Sequence, residues 1–414
     1  MLKRNAEQIG ARAGRPIIVT VVAAHALNPA CDLGSTRFVN DAFAVAEDPE
    51  VDVVVELIGG YDVARRLVLA AIANGKHVVT ANKALIAVHG NEIFQAAAEK
   101  GVSIGFEASV AGGIPVIKAL REGLAANQVS WLAGIINGTS NFILTEMREK
   151  GREFSAVLKE AQALGYAEAD PTFDVEGIDA AHKLTILASV AFGIPLQFDK
   201  AFTEGISTLS PVDVSYAEEL GYRVKHLGIA RRLEHGIELR VHPTLVPQAQ
   251  LIAKVDGVMN AVVVEGDAVG QTLFYGRGAG AEPTASAVIA DIIDVTRALS
   301  EGTRVSVPFL GVSQEYLADH PVLPIDEITS AYYLRILAHD RPGVLAKVAA
   351  ILSEHGINIE SIMQKEVEER EGLIPMILLT HRVQEKSMNH AIETIEALPD
   401  ISGQIVRIRV EPLR

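Results

Sequence analysis

The chain has 414 residues, 49% of them hydrophobic and 21% charged, which predicts two or three domains of ordinary globular composition. A formal net charge of −15 argues against a nucleic-acid partner, because phosphate binding needs a basic surface. The single cysteine, Cys31, excludes an intrachain disulfide framework and favours a reducing, cytoplasmic compartment. No apolar run reaches the roughly 20 residues of a membrane-spanning helix, and the basic first residues have no apolar core behind them, so neither a membrane span nor a signal peptide is predicted.

The first third of the chain predicts alternating strands and helices. Residues 1–15 are a predicted helix closed by Gly14, and the β-branched runs 16–24 and 51–58 are predicted buried strands. The elements that follow are a helix over 62–74, a strand over 77–80, a helix over about 92–100 and a strand over 102–107. This alternation predicts right-handed βαβ units and a parallel sheet covered on both faces.

From about residue 115 the pattern changes and predicts a separate domain on an open sheet. Its predicted elements are a strand over 129–136, a helical stretch over 142–164, and strands over 237–243 and 260–264. A long helix over 284–299 is predicted to return to the first domain. Residues 331–414 have the order strand, helix, strand, strand, helix, strand, which is a ferredoxin-like arrangement, and proline residues before them predict a linker.

Loops that follow parallel strands lie at the edge of the sheet where ligands bind. Ile58, Gly59 and Gly60 follow one predicted strand, and Lys83 follows another. A turn with a solvated lysine explains these residues about as well as a binding loop does. A dinucleotide-binding fold also opens with a strand and G-x-G-x-x-G before its first helix, whereas this chain begins inside that predicted helix. We therefore expect the polypeptide as numbered to bind a dinucleotide weakly.

Residues 161–183 are rich in carboxylates and end on a predicted helix. Asp179 and Lys183 stand four residues apart on that helix, and a surface ion pair is the plainest interpretation. The helix continues as LTILASVAFG, however, and an ammonium beside apolar residues gives up its proton more easily. Lys183 is therefore a candidate proton donor, and carboxylates in a cleft would suit the ammonium group of a substrate.

Four blocks of the sequence resemble the homoserine dehydrogenase family, and they occur in the family's order. They are FEASVAGGIP at 106–115, GIINGTSN at 134–141, AQALGYAEADPTFDVEGIDAAHK at 161–183 and GRGAG at 276–280. The resemblance implies a Rossmann-like nucleotide domain without its first strand, an α+β substrate and dimerisation domain, and NAD(P)-dependent interconversion of L-aspartate 4-semialdehyde and L-homoserine. That reaction belongs to threonine, methionine and isoleucine biosynthesis.

The resemblance also implies roles for individual residues. Lys183 corresponds to the proton donor and Lys83 to the lysine that orients the substrate. The implied substrate-binding residues are Glu168, Asp174 and Asp179, and the implied cofactor-binding residues are Ile58, Gly59, Lys83, Gly165 and Gly280. Backbone carbonyls of Glu107, Val110, Gly112 and Ile114 resemble a sodium site, although a glycine-rich hinge explains that loop equally well. His25 stands where a basic residue would mark a phosphate-bearing cofactor, so both NADP and NAD fit.

The last segment resembles an ACT domain, a sensor that commonly binds amino acids at paired interfaces. The implied effector residues are Asp340, Gly343, Val344, Leu345 and Asn358, with threonine as the expected effector and a homodimer or homotetramer as the expected assembly. A dimerisation module without a ligand is the plainer alternative. The predicted boundaries are 1–114 plus about 281–305 for the nucleotide domain, 115–280 for the substrate domain, 306–330 for the linker and 331–414 for a separable ACT domain. The rivals for the whole chain are another amino-acid-pathway oxidoreductase and a catalytically impaired or non-catalytic amino-acid sensor, which the missing phosphate loop makes plausible.

Overall fold

A computed structural model describes residues 1–301, 307–364 and 372–413. The strands are β1 (Val21–Ala23), β2 (Arg37–Val39), β3 (Val53–Glu56), β4 (His77–Thr80), β5 (Ile104–Gly105), β6 (Val129–Ile135), β7 (Phe202–Thr203), β8 (Tyr222–Leu233), β9 (Gly236–Pro247), β10 (Met259–Gly266), β11 (Gly270–Arg277), β12 (Thr329–His339), β13 (Ile359–Gln364), β14 (Leu373–Thr380), β15 (Val383–Gln384) and β16 (Val406–Val410). The helices are α1 (Ala6–Ala13), α2 (Ala42–Glu47), α3 (Asp62–Ala73), α4 (Lys83–Lys100), α5 (Val116–Lys118), α6 (Gly138–Lys150), α7 (Phe154–Ala163), α8 (Thr172–Val175), α9 (Ile178–Phe192), α10 (Pro211–Glu219), α11 (Ala281–Glu301), α12 (Val344–Glu354) and α13 (Glu385–Glu396).

Internal contacts divide the chain into two compact units. The first contains residues 1–132, 179–201 and 259–320, and the second contains residues 133–178, 202–258 and 321–414. The predicted domain boundaries stay a prediction. Residues 302–306, where the nucleotide segment is predicted to end and the linker to begin, lie outside the described residues. Within the described ranges, no helix is long and apolar enough to cross a membrane.

The first unit is built on a parallel sheet in the order β3-β4-β5, as the alternating pattern predicts. Helix α11 packs against this sheet, because Val288 and Ile292 lie with Val79 of β4 in one buried cluster. Strands β1 and β2 form a separate parallel pair, and β10 and β11 form an antiparallel pair. Since the strands of the main sheet run parallel, the loops that follow them share one edge.

The prediction of a buried strand over residues 16–24 is wrong for most of its length. Only β1 forms, its three residues are half-buried, and Ile18 is 76% exposed. Among the described residues β1 pairs with β2 alone, so its other edge has no neighbour. A run of β-branched residues sets a preference for extended backbone, but burial depends on what packs beside it.

Other boundaries also differ from prediction, and the strand predicted over 51–58 is only Val53–Glu56. Helix α4 begins at Lys83 rather than near residue 92, because the Asn82 side chain accepts the Leu85 N–H at 3.1 Å and caps the helix there. Strand β5 ends at Gly105, because Glu107–Ser109 is a 3₁₀-helix instead of the end of a strand.

The second unit is built on one continuous sheet in the order β8-β9-β16-β12-β14-β13. Strands β12, β13, β14 and β16 with α12 and α13 form the predicted ferredoxin-like arrangement. The predicted single helical stretch over 142–164 is two helices, α6 and α7, because Gly151 ends α6 in the left-handed region at φ 61°.

The C-terminal module joins the rest of this unit through β16. Arg409 and Val410 pair in parallel with Thr244 and Leu245 of β9. A buried ion-pair network lies at the same junction, where Arg240 donates to Glu411 at 3.0 Å with both side chains at most 2% exposed. Arg231 and Glu238 complete this network. Removing the module would take the Glu411 carboxylate from the buried Arg240 and from Arg231, which argues against a separable module; separability stays a prediction.

Candidate active site

Lys83 lies at the carboxyl edge of the parallel sheet, as the first residue of α4. Asn82 fixes this start, since its oxygen accepts the Leu85 N–H and its amide donates to the Gly60 carbonyl at 2.8 Å. Asn82 thus ties the loop after β3 to the start of α4. The Lys83 side chain is 38% exposed, so its ammonium group stays accessible at a rigid helix terminus.

A single buried carboxylate, that of Asp179, holds both predicted lysines. Oδ1 of Asp179 lies 3.0 Å from Lys83 Nζ, and Oδ2 accepts a hydrogen bond from Lys183 Nζ at 2.6 Å. Asp179 and Lys183 both belong to α9, whose remaining residues are largely buried. One negative charge between two ammonium groups holds the two lysine side chains close together. The arrangement can therefore present two N–H donors to one substrate oxygen.

His182 and Tyr61 lie beside this group. The Tyr61 hydroxyl is 3.3 Å from His182 Nε2, and the imidazole ring stacks on Phe198 with ring centroids 4.2 Å apart. The pKa of His182 is lowered to about 4, mainly by burial and also by the positive charges of Lys83 and Lys183, against the opposing effect of Asp179. His182 is therefore neutral near pH 7 and adds no third positive charge. Its Nε2 can accept a hydrogen bond from the Tyr61 hydroxyl.

The conformation of the glycine loop after β3 is fixed by the buried carboxylate of Glu56. Glu56 is fully buried, and its Oε1 accepts the N–H groups of Ile58 at 2.7 Å and Gly59 at 3.0 Å. Gly59 and Gly60 have φ values of 78° and 72°, and no atom lies within 4 Å of where a Cβ would stand. This exposed glycine surface fits close approach of a nucleotide. Gly280, with φ 116°, directly precedes α11 in the same unit.

The other predicted substrate and cofactor residues, Glu168, Asp174 and Gly165, belong to the second unit. Asp174 is held firmly, because its Oδ1 accepts the Asn137 side-chain amide at 2.7 Å and its carbonyl accepts the Ser140 hydroxyl at 3.0 Å. Glu168 is exposed. Gly165 has φ 74° and open space around it.

The predicted sodium loop is tight, with Ala111 in the left-handed region at φ 50°. Two of the four proposed carbonyls already accept backbone N–H groups, Glu107 from Val110 at 3.4 Å and Ile114 from Val116 at 2.7 Å. Among the described residues, no group of three or more His, Cys, Asp or Glu side chains could hold a metal ion. That finding does not concern backbone carbonyls, so sodium binding stays a prediction.

The predicted effector residues do not share one location within a chain. Asp340 donates its N–H to Gly372 at the start of β14, whereas Asn358 accepts the His381 N–H at the end of that strand. Because Gly372 and His381 are nine residues apart along an extended strand, these two positions are roughly 30 Å apart. Within one chain Asn358 therefore does not lie beside the loop of residues 340–345, and the effector site stays a prediction.

Comparison with known proteins agrees with the family resemblance seen in the sequence. Family models match in three places: the homoserine dehydrogenase NAD-binding domain at residues 1–107, homoserine dehydrogenase at 115–293 and the ACT domain at 332–400. A homoserine dehydrogenase from Pseudomonas aeruginosa is 70% identical over 413 residues, which cover 100% of this chain and 95% of the relative. The chain belongs to the homoserine dehydrogenase family.

Solved structures of homoserine dehydrogenases share this fold. The crystal structure of one from Thiobacillus denitrificans has a TM-score of 0.95 and 61% identity, covering 100% of this chain and 94% of that one. A hyperthermophilic archaeal homoserine dehydrogenase in complex with NADPH has a TM-score of 0.54 and 29% identity, covering 62% of this chain and 75% of that one.

The family, fold class and oxidoreductase activity predicted from the sequence are thereby confirmed. As a homoserine dehydrogenase, the chain interconverts L-aspartate 4-semialdehyde and L-homoserine in amino-acid biosynthesis and uses a nicotinamide cofactor. The rival, a non-catalytic amino-acid sensor, is not favoured, because relatives named as dehydrogenases match over the whole chain.

Sequence reasoning missed three residues beside the homoserine dehydrogenase site. His182 stands next to Lys183 inside the acidic segment, so its position was a usable signal. Tyr61 directly follows Gly60, and Asn137 stands in the GIINGTSN block. Both side chains are uncharged, so a search for charged candidate residues does not select them. The Tyr61–His182 contact joins residues 121 positions apart, which no local pattern predicts.

Proposed function

We propose that Lys183 donates the proton and Lys83 orients the aldehyde when homoserine dehydrogenase chemistry runs toward L-homoserine. The observation that carries this is the Asp179 carboxylate, which lies 2.6 Å from Lys183 Nζ and 3.0 Å from Lys83 Nζ. The reduced nicotinamide, when bound, supplies the hydride to the aldehyde carbon. A Lys183 N–H bond breaks as the O–H bond of homoserine forms, and Lys183 accepts that proton in the oxidation direction. Asp179 holds both ammonium groups toward the reacting oxygen.

We infer that Glu168 and Asp174 bind the ammonium group of the amino acid, with Asp179 near its hydroxyl end. Asp174 is suited to fixed recognition, since Asn137 and Ser140 hold its carboxylate and carbonyl. Glu168 is suited to capture from solvent because its side chain is exposed. A charge-assisted contact of this kind contributes roughly 1.5–3 kcal/mol.

For the cofactor, we propose that Ile58, Gly59, Lys83, Gly165 and Gly280 contact the nucleotide. The open glycine surface at Gly59 supports this. NADP is the preferred form in this proposal, because the archaeal homoserine dehydrogenase was solved with NADPH, and NAD remains its competitor. A sodium ion on the carbonyls of Glu107, Val110, Gly112 and Ile114 belongs to the same proposal.

We propose threonine as the effector of the C-terminal module, bound where Asp340, Gly343, Val344 and Leu345 of one chain meet Asn358 of another. The roughly 30 Å between the two groups in a single chain supports a site made by two copies. This requires a homodimer or a homotetramer. The cytoplasmic location stays a prediction from the single cysteine.

Substitution of the two lysines tests the proposed chemistry. Lys183→Ala should lower turnover by about 10²–10⁴-fold with nearly unchanged nucleotide affinity, because the donor to the substrate is lost while the glycine loop is intact. Lys83→Ala should be similarly slow and should also bind the nucleotide more weakly, because Lys83 is proposed to contact it. Lys150→Ala is the matched control, since Lys150, whose side chain is 53% exposed at the end of α6, forms the same i,i+4 ion pair with Glu146. Turnover of Lys183→Ala equal to that of the control would exclude the proton-donor role.

A further inference from the structure

The segment of residues 202–207 is bound at its first half by the C-terminal module. Arg409 of β16 is fully buried, and its Nη1 lies 2.9 Å from Glu204 Oε2. The Arg409 guanidinium also lies over the Phe202 ring, 5.1 Å from its centroid. Glu385 of α13 holds the other side of the guanidinium at 2.6 Å. Arg409 thus binds this segment through the carboxylate of Glu204 and the ring of Phe202.

The second half of the segment is bound to the turn that follows Asp174. The Ile206 N–H donates to the Val175 carbonyl at 2.8 Å, and the Ser207 hydroxyl donates to Glu176 Oε1 at 2.8 Å. Between them, a Cβ at Gly205 would stand 2.6 Å from the Val175 carbonyl oxygen, so only glycine allows this approach. The segment and the turn are therefore packed backbone against backbone.

The turn itself carries a residue of the proposed substrate site. Asp174 is fixed from one side by Asn137, at 2.7 Å, and is followed at once by Val175 and Glu176, which bind the segment. His226, which is buried, donates to the Glu204 carbonyl at 3.0 Å and so fixes the middle of the segment. An unbroken set of hydrogen bonds and ion pairs thus runs from β16 to the residue after Asp174.

We propose that residues 202–207 link the C-terminal module to the substrate turn, with Glu204 and Ser207 as positioning residues for Asp174. The inference rests on the proposed substrate role of Asp174. A shift of β16 moves Arg409, which moves Glu204, and the backbone contacts of Gly205 and Ile206 carry that movement to Val175. The module thereby sets how well the turn binds the amino acid, without touching the nucleotide.

Single substitutions at each end of the link test the proposal in the full-length chain. Ser207→Ala cuts the contact with the turn, Glu204→Gln cuts the ion pair, and Arg409→Lys weakens the same pair from the module side. Each should raise the Michaelis constant for L-homoserine roughly three- to tenfold, with kcat and NADPH affinity little changed, because an ordinary hydrogen bond that orients the turn is lost. Ser207→Thr keeps the hydroxyl and should have the Michaelis constant of the unaltered chain.

The double variant Glu204→Gln/Arg409→Lys should be no worse than the stronger single variant, because both changes break one link. Glu218→Gln, which removes a surface ion pair with Arg223 in the same unit, is the control and should leave the Michaelis constant unchanged. A raised constant in Ser207→Ala alone, with Glu204→Gln and Arg409→Lys equal to the control, would overturn the link to the module. An unchanged Michaelis constant for L-homoserine in Asp174→Asn would instead refute the proposed substrate role of Asp174 on which the link rests.

Discussion

Replacement of Asp179 by asparagine removes the charge that holds both lysines while keeping the size of the side chain. The Lys183 contact, 2.6 Å long between side chains that are 13% and 7% exposed, should account for roughly 1.5–3 kcal/mol. The Lys83 contact involves a side chain that is 38% exposed, so solvent screening limits it to about 1 kcal/mol. Together these contacts predict a loss of roughly 2–4 kcal/mol in transition-state binding, or about a 30- to 1000-fold fall in kcat/KM.

The assay is steady-state reduction of aspartate semialdehyde and oxidation of homoserine, with NADPH affinity measured separately by fluorescence. Glu146→Gln is the matched control, because Glu146 is the carboxylate partner of Lys150 in an i,i+4 pair away from the site. A folded Asp179→Asn protein whose kcat/KM stays within threefold of the control would refute the idea that one carboxylate organises both lysines.

Four further outcomes are expected. Tyr61→Phe removes the hydroxyl 3.3 Å from His182 Nε2 and should lower kcat several-fold with unchanged nucleotide affinity, so an unaltered kcat would count against a positioning role. Because the pKa of His182 is lowered from 6.5 to about 4, its contribution to stability is complete above pH 6.5 and is lost as the pH falls toward 4; urea unfolding should show a decrease of about 2 kcal/mol that is missing in His182→Gln. Glu168→Gln should raise the Michaelis constant for homoserine more than tenfold without altering cofactor binding, and equal constants would exclude an ammonium contact. A chain truncated at Pro321 should lose cooperative thermal unfolding of the second unit, because Arg231 and Arg240 lose the carboxylate of Glu411. A sharp transition at the original temperature would show that the module is separable.

Local patterns predicted the elements whose ends are marked by the sequence itself. Strand His77–Thr80 was predicted to the residue and helix Asp62–Ala73 to within one, because glycine follows the helix at Gly75 and β-branched residues fill the strand. Prediction failed where an end signal was present in the local sequence but was not recognised. The cap at Asn82 was read as part of a loop, so α4 was predicted nine residues too short. The break at Gly151 was overlooked because apolar periodicity continues beyond it.

The candidate site was predictable where residues follow one another on a helix. Asp179 and Lys183 are one turn apart on α9, so their pairing follows from helical spacing. Lys83 reaches the same carboxylate from a different element. Its place after a predicted strand and the resemblance to a known family marked Lys83 as a site residue, but neither predicted its pairing with Asp179. The junction of β16 with β9 could not be predicted, because parallel pairing between strands more than 160 residues apart leaves no periodic signal.

The most direct test of the proton-donor claim is chemical rescue of Lys183→Ala by small primary amines. The reduction of aspartate semialdehyde is followed in single turnovers with NADPH bound, while methylamine is varied at constant ionic strength. If Lys183 donates the proton, the slow reduction should accelerate with methylammonium concentration, and Lys83→Ala should respond less because the donor is still present. Reduction by Lys183→Ala at the rate of the unaltered chain, or a slow rate that no amine changes although NADPH and substrate are bound, would contradict the claim.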